Sequence, residues 1–285
     1  MQNNFSQKNI ILTGIPRSGT TLTCYLLNKL PNCVALHEPL VPFELVEKDK
    51  ESLIDFLVQF FKKQRSEIIQ TGQARSKSFG GRVPDNPLAG LDSNTGKRIR
   101  ILDGRSIQIN KPLNPDFSLV IKQPAFFTSI LKDLIDSNCF NCFAVVRNPL
   151  SVLLSWNTVE MPVSQGRAPA AEAFDLELSK TLQAIPNIYD RQVYLLNWFF
   201  ERYLELLPRN HILMYEQTIS TGGKSLSIIQ ESASGFSETL ASKNSNPLYN
   251  EDLKALLLSK LLSKKDAAFW SFYSQADISN LAVTN

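Results

Sequence analysis

Two short segments carry residue types suited to anion chemistry. The first is Gly14-Ile15-Pro16-Arg17-Ser18-Gly19-Thr20-Thr21-Leu22, which follows an apolar, β-branched run. Two glycines bracket four residues and a hydroxyl pair follows, the layout Gly-x4-Gly-Lys-Ser/Thr of a phosphate-cradling loop. Glycines let the backbone approach an anion closely, and a helix start offers unpaired N–H groups at a positive dipole end. Thr20 stands where the lysine of a nucleotide triphosphatase belongs, and Arg17 brings the only charge inside the loop. Arg17 can bind an oxyanion through two N–H groups, and Ser18, Thr20 and Thr21 add hydroxyl donors. Such a loop holds an anion without the triphosphatase lysine, so it points to a different phosphate-bearing donor.

The second segment is Val145-Val146-Arg147-Asn148-Pro149, with Ser155 eight positions after the arginine. If a helix follows Arg147, both side chains can face one anion. Glu38 (beside His37), Lys122 and Tyr215 are the remaining polar candidates, and each closes an apolar run.

The elements that must position these residues can be read from hydrophobic spacing. Asn9–Thr13, Cys33–His37, Phe117–Lys122, Phe140–Val146 and His211–Tyr215 read as strands. Helical patterns lie between them, from about Gly19 to Leu30, Asp49 to Ile69, Pro124 to Ser137, Leu150 to Trp156, Ala170–Ala184 and Ile188–Leu207. Alternating strands and helices predict an α/β fold, a three-layer, P-loop-like parallel sheet flanked by helices. Ligands in such sheets bind outside the carboxyl ends of the strands. Gly14, Glu38, Lys122, Arg147 and Tyr215 all fall at or just after such ends and are expected on one rim.

Residues 71–116 differ in composition, with Gly80-Gly81, Asn86-Pro87 and many basic side chains. Alternation on both sides of Asp103-Gly104 predicts a hairpin there, pairing Arg98–Leu102 with Arg105–Ile109. The segment reads as an insertion over the site within one domain spanning residues 1–285. After Leu207 the pattern is mostly helical, with a polar stretch at Ser232–Asn246.

The net charge of +3, from 30 basic and 27 acidic residues, is too balanced for a nucleic-acid binder. Four cysteines imply no disulfide framework, and Cys139-x-x-Cys142 reads as reduced thiols packed beside a strand. No apolar run approaches the ~18 residues of a membrane span. The polar start, Met1 to Lys8, shows no leader, so a cytoplasmic protein without a membrane partner is expected.

Taken together, the two segments resemble those of the PAPS-dependent sulfotransferases, where PAPS is 3′-phosphoadenosine 5′-phosphosulfate. The similarity covers Lys8–Pro39 and Phe117–Trp156, with a weaker echo at Ile212–Gln217. The resemblance implies that Pro16, Arg17, Ser18, Gly19, Thr20 and Thr21 cradle the 5′-phosphosulfate. It implies Arg147 and Ser155 at the 3′-phosphate and Tyr215 near the adenine. His37-Glu38-Pro39 is similar to the glutamate-proline step of the carbohydrate and tyrosyl-protein branches, which makes Glu38 the general base. Lys122 matches a lysine that supports transfer, but the next residue is Gln123 where the cytosolic small-molecule branch has histidine. His37 is the rival base, although neighbours in an extended segment point to opposite sides. The family also contacts the 3′-phosphate from a late loop, for which Lys243 is a candidate.

The implied reaction consumes PAPS, releases 3′-phosphoadenosine 5′-phosphate (PAP) and needs no metal. The expected acceptor is a small metabolite or natural product, with oxygen or nitrogen as nucleophile. A guanidinium alkaloid of the saxitoxin type is one expectation, held by Asp85, Asp92 or Glu160. Two other readings are a P-loop kinase or nucleotide triphosphatase, and a PAP-binding module without catalysis.

Overall fold

The structure, a computed structural model, describes residues 8–283. The polar segment 1–7, read above as lacking a leader, lies outside the described residues. Among the described residues nine strands occur in chain order: β1 (Asn9–Gly14), β2 (Cys33–His37), β3 (Gln73–Ser78), β4 (Gly90–Leu91), β5 (Arg98–Ile99), β6 (Gly104–Gln108), β7 (Ser118–Lys122), β8 (Asn141–Val146) and β9 (Ile212–Met214). Five of them form one parallel sheet in the order β2-β7-β1-β8-β9. Helices flank it, as expected of a sheet whose strands are apolar on both faces. Every residue of β1, β2 and β7 is buried.

Register fixes which residues share an end. His37 and Leu12 both lie opposite Lys122, Gly14 lies opposite Val145, and Val146 opposite Met214. The chain leaves β1 toward β2 and β7 on one side and later crosses to β8 and β9 on the other. The crevice between β1 and β8 is therefore the switch point where open α/β sheets bind ligands.

The helix after β1 runs Thr20–Leu27, and Asn28 does two jobs beyond its end. Its side-chain amide donates to the Ala35 carbonyl and accepts from the Ala35 N–H, both at 2.8 Å. Ser76 Oγ accepts from the His37 N–H at 2.9 Å. These contacts satisfy backbone groups on the outer edge of β2, which would otherwise invite a foreign strand. Lys111 Nζ donates to the carbonyls of Asn28, Leu30 and Cys33 at 2.8, 2.6 and 2.5 Å. It thereby pins the turn that delivers β2, and with it His37 and Glu38, to the site.

Several elements differ from the sequence expectation. The run from Pro124 divides into helices Pro124–Ser129 and Leu131–Asp136, because Ile130 leaves helical geometry at φ −107°, ψ 16°. Residues 170–184 divide into Pro169–Glu172 and Leu176–Ala184, because the Asp175 side chain caps the second helix by accepting from the Leu178 N–H. The hairpin at Asp103-Gly104 does not form. A tight two-residue hairpin needs positive φ at its central residues, and neither Asp103 nor Gly104 has it. The Asp103 carboxylate instead accepts from the Gly80 N–H, and Gly104 opens β6, which pairs antiparallel with β3. β5 pairs with β4 around a turn in which Asp92 accepts from the Asn94 and Thr95 N–H groups. The polar stretch at Ser232–Asn246 is mostly irregular and reaches the site, and the helix Glu251–Leu262 follows it.

All four cysteines are free, and burial pushes the thiols of Cys24, Cys33 and Cys142 up to about 12, so they act as packing groups. His211 stacks on Phe143 with ring centroids 4.5 Å apart, away from the rim. No helix among the described residues is long and apolar enough to cross a membrane. Replacing Lys111 by Met is expected to lower unfolding free energy by about 1–3 kcal/mol, the cost of stranding buried carbonyls. Urea unfolding measures it, and an unchanged midpoint would contradict the pinning role.

Candidate functional site

The loop between β1 and its helix is held from below by β8. The Val145 carbonyl accepts from the Ile15 N–H at 3.1 Å and from Ser18 Oγ at 2.8 Å. Trp156 Nε1 donates to the Pro16 carbonyl at 2.7 Å. A side chain at Gly14 would meet the Val145 backbone oxygen at 2.6 Å, so only glycine admits this approach. Arg17 takes φ +74° and Gly19 φ +98°, and together they turn the chain into the helix. Gly19 is its N-cap without a side-chain cap, so the first-turn N–H groups meet no capping oxygen.

Pro16, Arg17, Gly19, Thr20 and Thr21 line a cavity of about 650 Å³ above the carboxyl end of the sheet. Ser18 does not; its hydroxyl and its N–H are spent on Val145 and Ile15, and its side chain is fully buried. The expectation of a Ser18 donor for the anion is corrected accordingly: the hydroxyl shapes the loop from within.

Arg147 and Ser155 reach the same cavity. The Asn148 side chain caps the helix Pro149–Asn157, accepting from the Leu150 and Ser151 N–H groups, and this turns Ser155 toward the arginine's side. Arg17 Nε donates to Ser155 Oγ at 3.1 Å, and Arg147 Nη1 donates to the Arg17 carbonyl at 3.0 Å. The two sequence motifs thus touch directly. Burial, then the charges of Arg147 and Arg98, lower the Arg17 guanidinium to about 10. Cations gathered this tightly, with no carboxylate paired to them among the described residues, make a site that favours an anion.

Tyr215 supports both motifs. Its ring lies 4.6 Å from the Arg147 guanidinium and fills the space beside Gly19, where a Cβ would meet it at 2.8 Å. Its hydroxyl accepts from the Lys243 N–H at 2.8 Å. Arg147 Nη2 also donates to the Lys243 carbonyl, and Nε to Asn244 Oδ1 at 2.8 Å. The irregular segment around Lys243 is therefore brought to Arg147, and Lys243 lines the cavity.

Sequence reasoning missed Glu216, which organises this corner. Its carboxylate accepts from the Asn148 N–H at 3.0 Å, Asn244 Nδ2 at 2.9 Å and the Tyr273 hydroxyl at 2.8 Å. Only its place next to Tyr215 signalled it.

On the other side of the loop, Glu38, His37 and Lys122 converge. Glu38 Oε1 accepts from Lys122 Nζ at 2.6 Å, and His37 Nδ1 lies 3.3 Å from the same nitrogen. Adjacent residues reach one point because Glu38 adopts φ +47°, which breaks the alternation of an extended strand. Lys77, which sequence reasoning also missed, binds Oε2 of Glu38 at 2.6 Å. Its only signal was the alternating run Gln73–Ser78, which places Ser76 and Lys77 beside the end of β2. Burial works to raise the Glu38 pKa, but the charges of Lys122 and Lys77 and the Lys122 hydrogen bond outweigh it and hold the carboxyl well below the usual carboxylate range. Burial and the Lys122 charge push His37 down to about 3, so the imidazole is neutral.

Residues 71–116 supply one wall, including Asp85, Asn86, Arg98 and Arg100. Of the three acids expected at a cationic acceptor, only Asp85 lines the cavity. Asp92 closes the β4–β5 turn, and Glu160 pairs with Lys97 on the surface at 3.2 Å. Among the described residues, no group of three His, Cys, Asp or Glu side chains gathers to hold a metal.

No family model matches the chain, and no curated protein matches it. Among solved structures it is similar to a sulfotransferase from Alicyclobacillus acidocaldarius, with 13% identity over 92% of this chain and 98% of that one and a TM-score of 0.36. It is also similar to sulfotransferase STF1 from Mycobacterium tuberculosis H37Rv, with 14% identity over 90% of this chain and 76% of that one and a TM-score of 0.36.

Replacing Lys77 by Met removes one of two cations on Glu38, so the carboxyl pKa should rise. Carboxyl-carbon NMR of labelled protein measures it, and an unmoved titration would show that Lys122 alone sets the Glu38 charge.

Proposed function

We propose that this protein is a sulfotransferase that moves the sulfuryl group of PAPS to a hydroxyl or amine of a small-molecule acceptor. One observation carries the reading: two anion-ready motifs meet at the switch point, beside a carboxylate paired with a lysine on the neighbouring strands. A nucleotide with phosphate groups at both ends needs two cationic corners and no triphosphatase lysine. The loop at Arg17 suits the 5′-phosphosulfate, and Arg147, Ser155 and the Lys243 segment suit the 3′-phosphate. Tyr215, between them, lies beside the nucleoside. The residues present therefore fit PAPS. When bound, it supplies an activated sulfuryl group whose leaving group is the 5′-phosphate of PAP.

The chain's residues then have separable tasks. Glu38 accepts the proton of the acceptor as the acceptor oxygen forms its bond to sulfur. The bond from sulfur to the phosphate bridge oxygen breaks, and the electron pair stays on the phosphate. Lys122, Arg17 and the first-turn N–H groups face the charge that grows there, the preorganised electrostatics on which such transfers depend. Lys122 occupies one oxygen of Glu38. Turning that lysine toward the phosphosulfate frees the oxygen to take a proton and lets its pKa climb. His37, neutral and only 2% exposed, is better placed to orient Lys122 than to act as base. On this reading residues 1–285 work as one unit and 71–116 form the acceptor wall.

Glu38→Gln should lower kcat by about 10²–10⁴-fold, the usual worth of a general base, with PAP binding retained. Full activity in that variant would remove Glu38 from the role. A chain that binds PAP yet transfers nothing in the wild type would instead be a binding module. Arg147→Ala should weaken PAP by about 10–100-fold, the loss of charge-assisted hydrogen bonds, and adenosine 5′-phosphate far less. Equal weakening of both, read by calorimetry, would take Arg147 away from the 3′-phosphate.

A further inference from the structure

The wall supplied by residues 71–116 carries two arginines, Arg98 and Arg100, that form no ion pair among the described residues. Arg98 and Arg100 are two apart in an extended segment, so they share a face, and both line the cavity. Arg98 reaches a carbonyl, that of Leu88, at 3.4 Å. Among the described residues, Arg100 is within ion-pair distance of no carboxylate. The acids nearby are otherwise engaged or remote: Glu38 is shared by Lys122 and Lys77 at 2.6 Å, Glu172 holds Arg167, and Asp85 is exposed at the rim.

The backbone behind the two arginines is fixed. The Arg98 N–H donates to the Thr158 carbonyl at 2.8 Å, and the Ile101 N–H to the Pro87 carbonyl at 3.0 Å. This wall presents two cations to the cavity, and an anionic group there would find partners. Arg17, Arg147 and Lys243 match the anionic groups of the donor; Arg98, whose charge reaches Arg17, borders that corner, which leaves Arg100 as the cation with no part in it. One further observation describes the rest of the occupant. Phe126, Met161 and Val163 add apolar side chains to the lining of the same cavity.

We infer that the acceptor is a hydroxyl-bearing organic acid with an apolar body. Its carboxylate lies against Arg98 and Arg100, and its hydroxyl lies toward Glu38. This inference rests on the sulfotransferase reading and sharpens its acceptor class. It runs opposite to the cationic guanidinium acceptor considered from sequence, which would face both arginines with Asp85 alone in support.

The test uses three phenols of one shape and different charge: 4-hydroxyphenylacetate, 4-ethylphenol and tyramine. The full chain is first saturated with PAP, and dissociation constants for each phenol are read by ligand-observed NMR. The acid should bind about tenfold more tightly than the neutral phenol, and tyramine most weakly. Arg100→Gln should reduce the advantage of the acid while PAP affinity stays within about threefold, and Arg98→Gln/Arg100→Gln should erase that advantage. Should the double variant lose its fold, Arg100→Gln alone, at an exposed position, gives the same reading with a smaller loss. Equal affinities, a preference for tyramine, or an advantage that survives the substitutions would overturn the inference. Failure of PAP to saturate the protein would strike the donor reading instead, and is seen before any phenol is added.

Discussion

The hydrogen bond from Arg147 Nη1 to the Arg17 carbonyl joins two segments 130 residues apart, and the site depends on it. Arg17 sits at φ +74°, a conformation that costs a non-glycine residue roughly 1–2 kcal/mol. The strain persists because the loop is held from several directions at once. Val145 fixes Ile15 and Ser18, Trp156 holds Pro16, and Ser155 takes the Arg17 guanidinium. Tyr215 then packs on Gly19 and Arg147, and the Lys243 segment closes on both. A loop over-determined in this way is set before any ligand arrives, so an anion meets groups that need no rearrangement.

Charge is distributed unevenly around the cavity. Arg17, Arg98, Arg100, Arg147 and Lys243 face it without carboxylate partners among the described residues, while Glu38 has two lysines. The surplus suits an occupant that brings several negative charges. Two ammonium groups keep the Glu38 carboxylate ionised, and under the proposed function the loss of one of them to the phosphosulfate would raise its basicity. The insertion contributes to both halves of this balance, through Lys77 at the carboxylate and through Arg98 and Arg100 at the wall.

Much of this was legible in the sequence, and for physical reasons. Apolar runs that end in glycine, lysine or arginine mark the carboxyl ends of buried parallel strands, and the register puts Gly14, Lys122 and Arg147 on one rim. Local rules failed where a distant group changed the outcome. The Asp103-Gly104 hairpin lost to pairing between β6 and β3, with Gly80 drawing the aspartate away. The alternation argument that set His37 against Glu38 failed at one left-handed residue. Ser18 turned inward because the Val145 carbonyl lay within reach. Lys77 and Glu216 left only faint local signals, since each acts through partners far away in the chain.

Calorimetric titration of the full chain with PAP, and separately with ATP and Mg²⁺, is the most direct measurement of what the two joined motifs hold. PAP is predicted to bind more tightly by about tenfold or more, the worth of one charge-assisted contact to its 3′-phosphate. Preference for ATP with Mg²⁺, or no binding of PAP, would contradict a site built for a nucleotide phosphorylated at both ends.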